Sequence, residues 1–136
     1  MSTVTLIIVL LAGGYFVGLA LMAIVSPANA RRFLSGFAGS AAAHYIEMSF
    51  RLVVGGAFVL HAPHMLFTDA FSVFGWALVG TTACLLVLPW RWHRRFAQMA
   101  VPRALDRLGW LALVSFALGC FVLAGATLGQ VRDGVT

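Results

Sequence analysis

Charged residues are scarce in this chain, and lysine is absent from it. Only 10% of the 136 residues are charged, as nine arginines and four acids. A soluble domain carries about 25% charged residues, so this chain cannot cover itself with a polar surface. Its hydrophobic fraction is 62%, against about 45–50% in soluble domains. The shortage of charge excludes an ordinary water-soluble domain and predicts a protein embedded in lipid.

Acids and cysteines are also too few to indicate catalysis or a redox centre. No Ser–His or Cys–His spacing places a nucleophile beside a base on one helix face. Cys84 and Cys120 each lie inside an apolar run, and we interpret both as small buried hydrophobes. We therefore expect no bound cofactor, and a membrane enzyme is the third of the functions considered, after the two given below.

The net charge of +5 does not indicate a nucleic-acid-binding protein. The arginines lie in short gaps between apolar runs, and no basic groove or stacking platform is visible. In a membrane protein such gaps meet anionic headgroups. The absence of lysine beside abundant Ala, Gly, Val and Leu suggests a GC-rich bacterial genome. Membrane lipids, anionic ones above all, are the expected partners.

Four long apolar runs are present, and about 20 apolar residues cross a hydrocarbon core of about 30 Å. The sequence predicts an all-α fold: one domain formed by an antiparallel bundle of four transmembrane helices. The predicted spans are approximately 4–26, 43–62, 69–89 and 106–129. Small residues four apart predict close helix packing at three places: Gly14 with Gly18, Gly80 with Cys84, and Gly125 with Gly129.

The gap after the first run leaves two interpretations open. Ser26 and Pro27 end the first helix, because proline cannot continue its hydrogen-bond ladder. Asn29 then either caps a short amphipathic turn at the membrane interface or belongs to a plain loop. Before the third run, Asp69 is the expected N-cap, since a carboxylate there accepts from free backbone N–H groups.

The arginines of the gaps predict the topology. The first and third gaps hold two and five arginines, and the second gap holds none. The positive-inside rule then places gaps one and three in the cytoplasm and both termini in the periplasm. The expected location is the inner membrane of a bacterium. These arginines are either only a topology signal or also a site for an acidic lipid such as cardiolipin or for an anionic substrate; they are Arg31, Arg32, Arg91, Arg94, Arg95, Arg103 and Arg107.

The second run differs from the others because it carries ionisable residues in its interior. His44, Glu47 and Arg51 share one face of a helix at 100° per residue. Glu47 precedes Arg51 by four residues, the better orientation for an intrahelical ion pair. Charges within a membrane span are costly, so this face should point towards protein rather than lipid. It either locks helix packing or binds a proton, an ion or an anionic headgroup.

The histidines allow two further sites, neither of which we favour. His44 and His93 lie at the cytoplasmic ends of their runs, too far out for the usual pair of haem ligands. His61 and His64 are three apart, but two ligands do not make a metal site, and Pro63 lies between them.

The sequence thus predicts a small accessory or structural membrane protein. It would pack with itself or with a larger complex and bind anionic lipid through its cytoplasmic arginines. The alternative is a small transporter or ligand-binding protein that uses His44, Glu47 and Arg51.

Overall fold

A computed structural model describes residues 2–36, 40–87, 92, 95, 99, 102, 103 and 105–135. Every element within these residues is helical, which confirms the all-α class. The elements are α1 (Ser2–Val25), α2 (Pro27–Gly36), α3 (Ala41–His61), a 3-10 turn (Ala62–His64), α4 (Thr68–Val87) and α5 (Leu108–Val135).

Four of these helices are long and apolar enough to cross a membrane. They cover Thr3–Val25, Ala41–His64, Thr68–Val87 and Leu108–Gly134. Long apolar side chains such as Leu11, Val73 and Trp110 are exposed on the outside of the helices. A surface of this kind is costly in water and suits a hydrocarbon solvent.

The first gap contains a helix, which decides between the two interpretations left open by the sequence. Pro27 occupies the first helical position of α2, where its missing N–H costs nothing. The Ser26 amide still donates to the Met22 carbonyl of α1. Asn29 therefore lies inside the short helix rather than capping it, and α2 follows α1 after a single intervening residue.

The ends of α3 have clear local causes. Ser40 is the N-cap, and its hydroxyl accepts from the Ala43 amide at 3.1 Å. The helix ends at His61, because Pro63 falls within the following 3-10 turn. After that turn the Leu66 amide donates to the Gly125 carbonyl of α5 at 3.0 Å. This bond ties the connection between α3 and α4 to the last third of α5.

Two predictions about helix ends differ from the structure. Helix α4 begins at Thr68, so Asp69 lies in the first turn instead of at the N-cap. Its carboxylate is still favourably placed there, near the positive end of the helix dipole. Helix α5 continues to Val135, beyond the predicted end near residue 129. No proline interrupts Gln130–Val135, and Arg132 and Asp133 bond to the turn after α3.

The main core joins all four long helices. Phe58 of α3 stacks on Phe71 of α4 with ring centroids 6.0 Å apart. Val9 of α1 and Val122 of α5 are fully buried in the same cluster. A second cluster packs Ala30 of α2 with the first residues of α5 and the end of α1; its buried members are Ala23, Ala30, Leu108 and Ala112.

Helices α3 and α4 approach closely through glycine. A Cβ built on Gly75 of α4 would lie 2.8 Å from the Val59 nitrogen and 2.9 Å from the Gly55 carbonyl oxygen. These neighbours are backbone atoms, which cannot move aside as a flexible side chain can. Only glycine allows this separation of the two helices.

Helices α1 and α5 meet in the same way. A Cβ on Gly119 would lie 2.9 Å from the Gly13 carbonyl oxygen and 2.9 Å from the Val17 nitrogen. Each helix pair therefore uses one glycine facing the backbone of a Gly-x-x-x-Val segment, Gly13–Val17 in α1 and Gly55–Val59 in α3.

The glycines selected by spacing alone were partly the wrong ones. Among the described residues, a Cβ on Gly14, Gly18 or Gly80 would meet nothing within 4 Å, so these glycines form no close helix contact there. Gly125 and Gly129 do pack closely, against the Phe71 ring and the His64 backbone. The interpretation of the cysteines as buried is wrong, because Cys84 and Cys120 are both exposed. Both lie on outward faces, where their small side chains would meet lipid.

Candidate functional site

The polar face of α3 points into the protein along most of its length. His44 is 1% exposed, and Gly55, Phe58 and Ala62 of the same face are buried. Glu47 and Arg51 lie between the buried residues. Their side chains are 28% and 34% exposed, so they are neither bathed in solvent nor aimed outward.

Glu47 and Arg51 form the expected ion pair. Arg51 Nη1 lies 3.5 Å from Glu47 Oε1. Among the described residues, Arg51 has one further partner on another helix: its Nε donates to Thr82 Oγ1 of α4 at 3.2 Å. The guanidinium therefore bridges a carboxylate on α3 and a hydroxyl on α4. We call this group the polar seam, formed by Glu47, Arg51 and Thr82.

Thr82 is the residue that the sequence did not reveal. It lies in an apolar run and is fully buried, and its hydroxyl also donates to the Leu78 carbonyl at 2.6 Å. Gly75, Val79 and Thr82 follow one another at i, i+4 and i+7, which puts them on one face of α4. The sequence does not indicate that this face meets α3; the close approach of Gly75 to α3 in the structure does.

His44 lies one turn before Glu47 on the same face and is almost completely buried. Its ring meets that of Tyr45 edge-on at 5.3 Å between centroids. The structure thus brings the three predicted residues of α3, His44, Glu47 and Arg51, onto a common inward face. His93, the other histidine considered for haem, lies outside the described residues.

The arginines near the start of α5 and those of α2 are gathered at one end of the molecule. Ala30 and Leu34 of α2 pack against Leu105 and Leu108, which leaves the other side of α2 exposed. We call the exposed arginines of this end the basic collar: Arg31, Arg32, Arg95, Arg103 and Arg107. Arg91 and Arg94, which the sequence also indicated, lie outside the described residues.

His61 and His64 are close to each other but bind different partners. His61 Nδ1 lies 3.2 Å from Thr5 Oγ1 of α1, whereas His64 Nδ1 lies 3.1 Å from Asp133 Oδ2 of α5. The two ring centroids are 5.5 Å apart. In the part of the chain that the structure describes, no group of three His, Cys, Asp or Glu side chains is arranged to hold a metal ion.

Fold and site together define a class. Four apolar helices, a polar seam between two of them and arginines gathered at one end are consistent with a small multi-pass membrane protein. Comparison of the chain with protein families, with characterised proteins and with solved structures finds no match. The residues of the site are therefore the basis for any functional inference.

Proposed function

We propose that this protein is an accessory or structural subunit of a bacterial inner membrane whose basic collar binds anionic lipid headgroups. The four helices form an antiparallel bundle. Support comes from two helix pairs: Thr5 near the start of α1 meets His61 at the end of α3, and along α1 and α5 Gly13 faces Leu123 while Val17 faces Gly119, so the residue numbers run in opposite directions.

The basic collar faces the cytoplasm and both termini face the periplasm. The positive-inside rule supports this orientation, because the arginines of α2 and of the segment before α5 belong to one end. Arg132 is the only arginine in the last turns of α5, and it is neutralised by Asp133 at 3.1 Å.

The observation that carries lipid binding is the arrangement of α2. Its apolar side packs against the first residues of α5, so Arg31 and Arg32 are exposed at the same end of the molecule as Arg103 and Arg107. None of these four arginines has an acidic partner among the described residues. Each Arg near an anionic membrane surface contributes about 1 kcal/mol, and guanidinium groups bind phosphate in a bidentate manner.

Removing two charges from the collar should release bound cardiolipin. For Arg31→Gln with Arg32→Gln, we expect the affinity for cardiolipin to fall by about 30-fold, which corresponds to about 2 kcal/mol for two charges. Native mass spectrometry of the purified protein, with cardiolipin titrated in, measures the retained lipid.

Two control variants separate charge from position in that experiment. Arg31→Lys with Arg32→Lys keeps the charge and should keep most of the lipid, although lysine lacks the planar fork. Arg132→Gln removes a charge from the opposite end and should leave lipid retention unchanged. An equal amount of cardiolipin on the wild type and on the Arg31→Gln, Arg32→Gln protein contradicts the proposal.

The protein packs with a second copy or with a larger complex through its uncovered glycines. Support comes from Gly14 and Gly18, which leave open space on α1, because small residues at this spacing let helix backbones approach. Gly14→Leu with Gly18→Leu should reduce the dimer fraction seen by native mass spectrometry in mild detergent. Alanine at both positions should preserve it, and an unchanged dimer fraction with leucine would rule this face out.

A second candidate function is ligand binding at the polar seam. The observation in its favour is the partial exposure of Glu47 and Arg51. A ligand needs access to the charged groups, and the exposed fractions of Glu47 and Arg51 provide it. The paired variants described in the Discussion distinguish the two functions.

A further inference from the structure

The end of the molecule opposite the basic collar contains a second group of titratable side chains. His61 is the last residue of α3 and is 1% exposed. One ring nitrogen, Nδ1, lies 3.2 Å from the hydroxyl oxygen of Thr5 in α1. The other, Nε2, is buried and has no hydrogen-bond partner within the described residues. A buried imidazole is thus only half satisfied, at a junction of two helices.

His64 connects this buried ring to the surface. Its side chain is 48% exposed, and its Nδ1 lies 3.1 Å from Asp133 Oδ2 at the end of α5. The rings of His61 and His64 are 5.5 Å apart between centroids. We call the four residues the histidine clasp: Thr5, His61, His64 and Asp133.

The histidine clasp fastens three helices at one point. Two further hydrogen bonds lie next to the clasp. Arg132 Nη2 donates to the Pro63 carbonyl at 3.2 Å. The Leu66 amide donates to the Gly125 carbonyl. The segment after α3 is therefore held to α5 by polar groups and to α1 through His61. Any change of charge in the clasp acts directly on the packing of this end.

We propose that the histidine clasp is a proton-binding switch that opens the contact between α1 and α3 when the medium on this side becomes acidic. Histidine changes charge between about pH 5 and 8. A proton on His61 creates a charge at a buried position, where its hydrogen-bond partner among the described residues is the Thr5 hydroxyl.

The sign follows from the groups around His61. A protonated His64 ring repels a second cation at 5.5 Å. Asp133 is already engaged by His64 and by Arg132. Helix α4 contributes Asp69, which is exposed in its first turn. Helix α1 contributes the uncharged Thr5. A proton on His61 is therefore poorly compensated, and acid that places it there separates His61 from Thr5.

Hydrogen exchange tests this switch. The full-length protein in lipid nanodiscs is exchanged from about pH 7.5 to about pH 5, and rates are corrected for intrinsic exchange. Amides of residues 3–8 and 62–68 should become less protected on acidification, by about tenfold per pH unit once His61 titrates, the dependence of a single proton. Wild-type protection that does not change with pH overturns the proposal.

Variants identify the residue responsible. His61→Gln still bonds to Thr5 but takes up no proton, so its protection should be independent of pH. His64→Gln, at an exposed position, removes a neighbouring ring that repels a proton on His61 and frees Asp133, so it should move the opening to higher pH. His44→Gln changes a buried histidine at the other end of α3 and should keep the full response. A wild-type pH profile in His61→Gln, or in His64→Gln if His61→Gln does not fold, contradicts the proposal.

Discussion

Replacing Gly75 with alanine should destabilise the protein by about 1–3 kcal/mol, the usual cost of overpacking. The added methyl group would lie 2.8 Å from the Val59 nitrogen and 2.9 Å from the Gly55 carbonyl oxygen. Since both are backbone atoms of α3, the two helices must separate. Separation also increases the distance from Arg51 to Thr82, so the hydrogen bond of the polar seam weakens as well. Leucine at this position should prevent the chain from folding into this structure.

Gly119→Ala should have an effect of the same size on the contact between α1 and α5, because its Cβ would meet the Gly13 carbonyl and the Val17 amide. Unfolding by SDS titration, followed by circular dichroism, measures both losses. Each helix offers a matched control: within the part of the chain that the structure describes, a Cβ on Gly80 of α4 or on Gly109 of α5 meets nothing within 4 Å.

Alanine at Gly80 or Gly109 should be neutral or slightly stabilising, since alanine is the better helix former by about 1 kcal/mol. Alanine should therefore lower the stability at the crossing positions, Gly75 and Gly119, and should not lower it at the control positions. Equal stability of all four alanine variants would mean that the helices do not cross where Gly75 and Gly119 lie.

Arg51→Met should cause the second large loss of folding stability, about 1–3 kcal/mol. Breaking a fully buried pair by removing one partner costs about 3–5 kcal/mol, and we reduce this because about a third of each side chain is exposed. The variant leaves the Glu47 carboxylate without its cation and the Thr82 hydroxyl without its donor from α3. The measurement is again unfolding in detergent.

The double variant Glu47→Gln with Arg51→Met should recover most of that stability, because no unpaired charge remains. Thr82→Val tests the link to α4. Its matched control is Thr81→Val, since the Thr81 hydroxyl bonds only to carbonyls of its own helix. Thr82→Val should be the more destabilising of the two, and an equal effect would argue against a bridging role for Arg51.

The same variants separate packing from ligand binding. If the polar seam only packs α3 against α4, the double variant should be folded and should support the same cellular role as the wild type. If the seam binds a ligand, Glu47→Gln or Arg51→Met alone should abolish function in protein that still inserts and folds. A double variant that is stable but inactive would favour the ligand site over our structural proposal.

Much of the fold could be predicted because hydrocarbon imposes simple requirements. Every backbone group in lipid must bond within its own helix, so the length and number of the apolar runs indicated the helices. The inward direction of the α3 face could also be predicted, since Glu47 and Arg51 are costly in contact with lipid. The N-cap at Ser40 and the start of α2 at Pro27 likewise depend on the chemistry of one short segment.

Contacts between helices could not be predicted in this way. In a chain with so many glycines, spacing alone does not separate those at a crossing, such as Gly75 and Gly119, from those that face outward, such as Gly14 and Gly80. Thr82 was missed for the same reason, because an uncharged hydroxyl can bond within its own helix and so tolerates either face. Cys84 and Cys120 are exposed because the faces of α4 and α5 that carry them point away from the other helices.

The amino-acid sequence by itself determined that the chain is helical, that four of its helices suit a membrane, and which face of α3 must be sheltered from lipid. Those properties follow from hydropathy, helical period and the cost of charge, and each acts within one segment. Only the tertiary structure decided that Arg51 reaches Thr82, that Gly75 and Gly119 set the helix spacing, and that His61 meets Thr5. Which residues of two helices meet depends on the rotation and the depth of each helix. Packing determines both for all of the helices together.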